Sequence, residues 1–207
     1  MPSMVATLTV LAQLHCGDDN LLLVSAALAN LSFMETSSIK CMKKLSTVRT
    51  LLDRMQASPF TSVFARDQVV TVMANVAADS DGREDVKEDD SMEFLAGQLL
   101  CRIEDVDSSA EQAALERILK KSAIALCRVC QEENICVKLE ALGVVERAEE
   151  LCKCPSTRNY SDSVLVACLA LLRRVGSFLP LSVDQSLLQE SLVDSFRELS
   201  THQESYV

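Results

Sequence analysis

A five-residue pattern recurs four times within the apolar helical stretches of this sequence. Each copy has a hydrophobic residue, a variable residue, a polar side chain, a second hydrophobic residue and a small residue: Leu28–Ser32, Met73–Ala77, Leu126–Cys130 and Leu172–Gly176. The third positions of successive copies lie 45, 53 and 46 residues apart. Periods of about 40–47 residues are typical of helical solenoids, whose units bury their apolar faces by stacking on each other. The recurrence therefore predicts a binding surface rather than a catalyst.

Composition favours an all-α fold. Hydrophobic residues make up 48% of the 207 residues, which is enough for one continuous core. Five Gly, four Pro and no Trp leave little material for the turns and strands of an all-β fold. We expect an all-α, right-handed, armadillo-like superhelical solenoid of about four repeats over residues 1–200. A short unstructured tail is expected at residues 201–207.

Cysteine usage and the lack of targeting signals indicate the compartment. The nine Cys are an odd number without the dense spacing of a secreted disulfide scaffold, which favours reduced thiols in the cytosol. The first basic residue is Lys40, so the apolar segment Met4–Leu14 lacks the positive start of a secretory signal. The apolar run Leu21–Phe33 is too short to span a bilayer. A cytoplasmic protein without membrane insertion is expected.

The pattern divides the chain into units that each end in a long helix. Met1–Leu14 has the character of the second helix of a repeat, so the chain is expected to start within a repeat. Ser109 and Gln112 offer a capping box for the third long helix. The long helices are expected at Leu21–Phe33, about Ala65–Ala78, Ser109 to about Gln131, and Asp162–Phe178, with two shorter helices before each of the last three.

Charge is distributed unevenly along the chain. The net charge is -10, and the stretch Asp79–Asp90 holds seven acidic residues against Arg83 and Lys87. This sign disfavours nucleic acid as a partner. The third and fourth units nevertheless carry cations on or near the recurring helix, which could attract an acidic peptide locally. These are Lys120, Lys121, Arg128, Arg173 and Arg174.

The first two copies of the pattern resemble the "Ala-Leu-x-Asn-Leu" signature of armadillo repeats, whose third helix lines a concave groove. In that family the recurring Asn hydrogen-bonds the main chain of an extended peptide, and Asn30 and Asn75 match it. Alternatively, each amide satisfies a neighbouring loop carbonyl without any ligand. The absence of Trp argues against a nuclear-import receptor, which holds Lys stems on Trp arrays. The candidate groove residues are Asn30, Asn75, Lys120, Lys121, Arg128 and Arg174.

Two motifs resemble metal sites, but their context favours a structural interpretation. Cys127 and Cys130 lie within a predicted helix, whereas zinc ligands usually lie on turns, so these thiols and the Cys152–Cys154 pair are expected to be core residues. The acidic stretch from Asp79 has partial EF-hand spacing, but Ala77 stands at the first ligand position. No metal, no cofactor and no enzymatic activity are predicted.

The last four residues, Glu204, Ser205, Tyr206 and Val207, fit a PDZ-binding tail. A PDZ domain adds such a tail as a strand, holds the terminal carboxylate with backbone N–H groups and seats the last apolar side chain in a pocket. Residues 201–207 lack the periodicity of a core segment, so the tail is expected to be exposed.

The segment Leu22–Phe33 and the terminal Glu204–Val207 resemble the C-terminal part of the Inscuteable family of polarity adaptors. The resemblance implies a cortical adaptor that connects a Bazooka-type PDZ polarity scaffold to the Partner-of-Inscuteable machinery, which orients the mitotic spindle in asymmetric cell division. The family segment that binds Partner of Inscuteable lies upstream of the armadillo region and is not recognisable here. The alternative is an armadillo peptide receptor of another pathway, such as a transport or adhesion adaptor, with an incidental tail.

Overall fold

The computed structural model describes residues 2–14, 17–34, 36–57, 61–106 and 108–187. Within these residues every regular element is helical, and two short 3-10 helices occupy Ile103–Asp105 and Pro155–Arg158. The predicted tail and the domain boundary near residue 200 lie outside the described residues. The α-helices are α1 (Pro2–Gln13), α2 (Asp18–Met34), α3 (Thr36–Lys44), α4 (Thr47–Ala57), α5 (Val63–Val76), α6 (Ser80–Val86), α7 (Asp89–Leu100), α8 (Ser109–Val129), α9 (Glu133–Ala141), α10 (Val144–Lys153) and α11 (Asp162–Gly176).

The helices form repeating three-helix units. Helices α3–α5, α6–α8 and α9–α11 are complete units, and α1 and α2 take the places of the second and third helices of a further unit. The third helices α2, α5, α8 and α11 pack side by side in this order, with the most extensive contacts between neighbours. These four long helices correspond to the four copies of the sequence pattern, so the predicted solenoid is confirmed.

The recurring pattern places its two hydrophobic positions in the core. Its first position is Leu28, Met73, Leu126 or Leu172, and each of these side chains is fully buried. The second position follows three residues later on the same helix face and is also buried in all four copies. The two positions therefore point into one hydrophobic core that runs along the whole described solenoid.

Two of the long helices, α2 and α8, do not begin at the residue that the sequence predicts. The predicted box at Ser109 is wrong by one residue, because Ser108 accepts the N–H of Glu111 and the Glu111 carboxylate accepts the N–H of Ser108. Helix α2 begins at Asp18, three residues earlier than predicted, and two acidic residues occupy its first turn, where the helix dipole favours them. The Asp18 carboxylate also accepts the N–H of Ser62, 3.2 Å away, just before α5.

The sharp corner between α9 and α10 lies at Gly143, whose positive φ of 73° is accessible to glycine without strain. The following helix carries a buried arginine, Arg147. Its guanidinium donates to the carbonyls of Leu99 (3.3 Å) and Cys101 (2.8 Å) at the end of α7. These bonds satisfy carbonyls that have no partner within α7, and they join the third unit to the second.

None of the helices in the described part of the chain combines the length and the apolar character needed to cross a membrane.

Candidate interaction surface

Polar side chains from the recurring pattern connect neighbouring long helices. The Asn75 amide Nδ2 donates to the Ala29 carbonyl oxygen at 3.2 Å and to the Ser32 hydroxyl at 3.0 Å. One unit further on, Arg128 Nη1 donates to the Ala74 carbonyl oxygen at 2.6 Å. In both cases the acceptor is the residue that precedes the polar position of the previous helix. The same contact therefore sets the register of α5 on α2 and of α8 on α5.

The two outer copies of the pattern lack this contact. Asn30 is exposed, and no long helix precedes α2 within the described residues. Arg174 is exposed as well, and between α8 and α11 the Cys127 thiol of α8 donates to the Ala170 carbonyl oxygen of α11 at 3.5 Å. Of the candidate groove residues, Asn75 and Arg128 thus have internal partners, while Asn30 and Arg174 present their side chains to solvent.

A charge cluster connects the middle of α5 with α8. Asp67 is 1% exposed, and its carboxylate accepts from Arg117 Nε at 2.7 Å and from Lys121 Nζ at 3.0 Å. Lys121 Nζ also donates to the Thr71 hydroxyl at 2.5 Å. Lys121 therefore forms an ion pair within the protein. The neighbouring Lys120 is half-buried and has no ion pair with a described carboxylate.

We expect Asp67→Asn to lower the free energy of unfolding by about 1–3 kcal/mol, because the neutral amide loses two charge-assisted hydrogen bonds while two cations remain. Both cations reach solvent in part, so the loss stays below that of a fully buried unpaired charge. Urea unfolding followed by circular dichroism measures it.

Arg117→Gln is the matched control for this prediction, because the Arg117 side chain is 48% exposed. We expect it to cost less than about 1 kcal/mol, the range of partly exposed pairs. Equal losses for the two variants would contradict the idea that Asp67 is the centre of the cluster.

Arg128 and Arg174 lie in the last turns of the long helices α8 and α11, and Arg83 lies in the short helix α6 that packs against α8. We call these three residues the arginine edge. The pKa of Arg128 is lowered from its ordinary value, chiefly by burial and also by the nearby positive charge of Arg83. Burial raises the pKa of the Cys127 thiol, and the charges of Arg174 and Arg128 oppose this rise. Arg83 and Arg128 both donate to carbonyls at the end of α5, those of Ala77 and Ala74. Arg174 has the same position in the pattern on α11 as Arg128 has on the adjacent α8.

An open cleft of about 350 Å³ adjoins the arginine edge, and we call it the terminal cleft. Phe33 and Met34, the last residues of α2, line it together with Asn75, Asp79 and Arg128. Phe33 is 83% exposed and Met34 is 70% exposed. Together they give the terminal cleft an exposed apolar wall, a kind of surface that a binding partner can cover.

The cysteines of the two sequence pairs separate into different environments. Cys130 lies in the core with its Sγ atom 3.0 Å from that of Cys136, and burial raises its pKa. Cys154 lies beside the Ser156 hydroxyl, 3.2 Å away. Within the described ranges, His, Cys, Asp and Glu side chains form no group of three or more that could hold a metal ion.

The acidic stretch that has partial EF-hand spacing forms helix α6 and the start of α7. Asp79 is the N-cap of α6, and its carboxylate accepts the N–H groups of Asp81 and Gly82. Glu88 stands at the N-cap position of α7. The residues at the calcium-loop positions thus serve helix ends, as the helical interpretation of this stretch predicts.

A family model described as "Protein inscuteable C-terminal" matches residues 1–207. The chain belongs to the Inscuteable family. The Protein inscuteable homolog of Mus musculus and that of Homo sapiens are each 34% identical to it over 212 residues. Each alignment covers 100% of this chain and 36% of the relative, so the chain spans about a third of the length of these Inscuteable proteins.

A solved structure supports the fold of this Inscuteable-family chain. It is described as a crystal structure of computationally designed armadillo repeat proteins for modular peptide recognition, and it matches with a TM-score of 0.64. The alignment covers 96% of this chain and 75% of the other at 16% identity. The predicted armadillo-like fold is thereby confirmed, and so is the resemblance to the Inscuteable family.

Sequence reasoning missed three residues that this surface uses: Phe33, Asp67 and Arg83. Asp67 could have been found, because it precedes Asn75 by eight residues and Thr71 by four, which places the three side chains in one row along α5. Arg83 lies outside the repeated pattern and appears in the sequence as part of an acidic stretch. Its position beside Arg128 depends on how α6 packs against α8.

Proposed function

We propose that this Inscuteable-family chain acts as a non-enzymatic adaptor in cell polarity and spindle orientation during asymmetric cell division. The observation that carries the proposal is the match of the family model over all 207 residues. The armadillo-repeat architecture supports it, because stacked helical repeats present extended surfaces for protein partners. The adaptor would act in the cytoplasm and be recruited to the cell cortex.

The partner proposed for the C-terminal tail is a PDZ domain of a Bazooka-type polarity scaffold. Val207 would fill the apolar pocket, its carboxylate would bind backbone N–H groups, and Ser205 would hydrogen-bond across the groove. Tyr206 would face away, because alternate residues of a strand point to opposite sides. Contact with a Partner-of-Inscuteable-type protein is proposed for the longer relatives, since this chain spans 36% of their length.

Titration of the whole chain against the PDZ domains of such a scaffold tests the proposal. Removing Val207 takes away the apolar anchor and shifts the carboxylate out of register, so we expect affinity to fall at least about 30-fold. Ser205→Glu should abolish binding because it replaces the hydroxyl with a bulky charge.

Tyr206→Ala is the control in the same tail and should change the affinity less than about threefold. Equal affinity with and without Val207 would exclude the tail as the PDZ ligand. It would leave the surface of the solenoid as the site to examine.

A second function is favoured by the arginine edge: an armadillo receptor for an extended peptide. Arg83, Arg128 and Arg174 have no ion pair with a described carboxylate, although the protein as a whole carries a net charge of -10. The designed armadillo proteins with a similar fold are described as built for peptide recognition. This candidate differs from the first because its ligand would bind after the last three residues are removed.

A further inference from the structure

The arginine edge and the terminal cleft are next to each other, and Arg128 belongs to both. Arg128 Nη1 donates to the Ala74 carbonyl oxygen, and Arg83 Nε donates to the Ala77 carbonyl oxygen at 3.2 Å. These bonds fix the two side chains against the end of α5. The positively charged groups are thus held in place without a carboxylate to neutralise them within the described chain.

Phe33 and Met34 form the apolar wall of the same cleft. Because both are largely exposed, a side chain placed between them and Asn75 would cover apolar surface that now faces water. The cleft volume of about 350 Å³ is within the usual range of ligand-binding clefts, roughly 300–1,000 Å³. An aromatic or large aliphatic side chain therefore has room to enter it.

We propose that the terminal cleft and the arginine edge together bind an extended acidic peptide, with one large apolar side chain in the cleft and flanking carboxylates on Arg128 and Arg174. The inference deepens the peptide-receptor function proposed above and rests on it. Charge complementarity selects this occupant, because three unneutralised guanidinium groups attract carboxylates and repel a basic peptide.

One acidic side chain also lines the cleft and limits where the ligand carboxylates bind. Asp79 already accepts two backbone N–H groups at the start of α6. A ligand carboxylate beside it would be repelled, so the carboxylates should lie on the side of Arg128 and Arg174. The apolar side chain then lies toward Phe33.

Fluorescence anisotropy with a synthetic probe tests this arrangement. The probe is a labelled heptapeptide, acetyl-Ser-Glu-Glu-Phe-Glu-Glu-Ser-amide, titrated with the whole chain. We expect saturable binding that weakens at least tenfold with Arg174→Glu, because the charge at the edge reverses. Phe33→Ser should weaken it at least fivefold, since the apolar wall is lost. Both residues are exposed, so neither variant should change the thermal unfolding of the protein.

Arg173→Glu is the matched control, because it makes the same charge change one residue earlier. The equivalent residues Ala29 and Ala74 are buried toward the next long helix, so Arg173 faces away from α8 and from the arginine edge. It should change the probe affinity less than twofold. A loss as large as that of Arg174→Glu would overturn the proposal, because it would show a response to net charge alone.

Two further peptides separate the remaining outcomes. A probe with Ser in place of Phe should bind at least fivefold more weakly, and equal binding would overturn the role of the cleft. Selection from a random decapeptide pool gives the last distinction. If the selected peptides lose affinity with Asn30→Ala but not with Arg174→Glu, this site would be overturned while the peptide-receptor function would still hold. A pool that yields no binder would exclude both the site and the peptide-receptor function.

Discussion

Replacement of Leu28 by aspartate is expected to unfold the solenoid at room temperature or to leave it with little residual stability. Leu28 is fully buried between α2 and its neighbours, in the first apolar position of the repeated pattern. Loss of the leucine side chain alone costs about 2–5 kcal/mol, and the buried carboxylate adds a desolvation penalty. Because domains of this kind are stable by about 5–15 kcal/mol, the total is a large part of the stability.

The control for this experiment lies on the same helix. Leu23 is 67% exposed, so Leu23→Asp places its carboxylate in water and should change the free energy of unfolding by less than about 1 kcal/mol. Thermal unfolding followed by circular dichroism compares the two variants. Similar unfolding temperatures for Leu28→Asp and the parent would show that the repeated pattern does not form the stacked core.

Gly82→Ala is expected to destabilise the protein by about 3 kcal/mol, although alanine favours a helix more than glycine does. Gly82 lies in α6, and a Cβ atom there would come 2.6 Å from the Val76 carbonyl oxygen and 2.9 Å from the Ile39 Cγ2 atom. Such distances are too short for these atoms, and the backbone carbonyl cannot rotate away. Helix α6 would have to move off α5, which also disturbs Arg83.

Gly97→Ala should have the opposite sign. Gly97 is exposed on α7, and a Cβ atom there would meet no heavy atom within 4 Å. The substitution should raise the free energy of unfolding by about 0.5–1 kcal/mol through helix propensity. Urea midpoints of the two variants provide the comparison. A loss of stability with Gly97→Ala, or a gain with Gly82→Ala, would contradict the packing of α6 described above.

The helices and their order could be predicted from sequence because their causes are local. Helix α11 begins at the predicted Asp162 and ends at Gly176, close to the predicted end at Phe178. The boundary of α8 was harder, because Ser108 and Ser109 are both suitable caps and the Glu111 carboxylate decides between them. Differences of one to three residues arise where neighbouring side chains compete to end a helix.

The candidate surface was predictable only in part, because a residue type does not reveal its partner. Lys121 and Lys120 are adjacent cations in the sequence, yet Lys121 pairs with the buried Asp67 and Lys120 does not. Asn75 and Asn30 match the same signature, but the Asn75 amide bonds the preceding helix while Asn30 remains exposed. In each pair, only one residue has a polar partner inside the protein, because only that residue lies opposite a suitable group of the neighbouring unit.

The sequence by itself determined the helical class, the repeat and the apolar positions of each long helix. Hydrophobic residues such as Leu28 and Leu126 recur with the helical period, and this periodicity places them in the core. Only the tertiary structure decided which polar groups are left for a partner. Stacking brings α6 beside α8, places Arg83 near Arg128 and leaves Phe33 at the open end of a cleft. These neighbours are 45 or more residues apart or lie on different helices, so their pairing depends on packing between units and not on local chain preference.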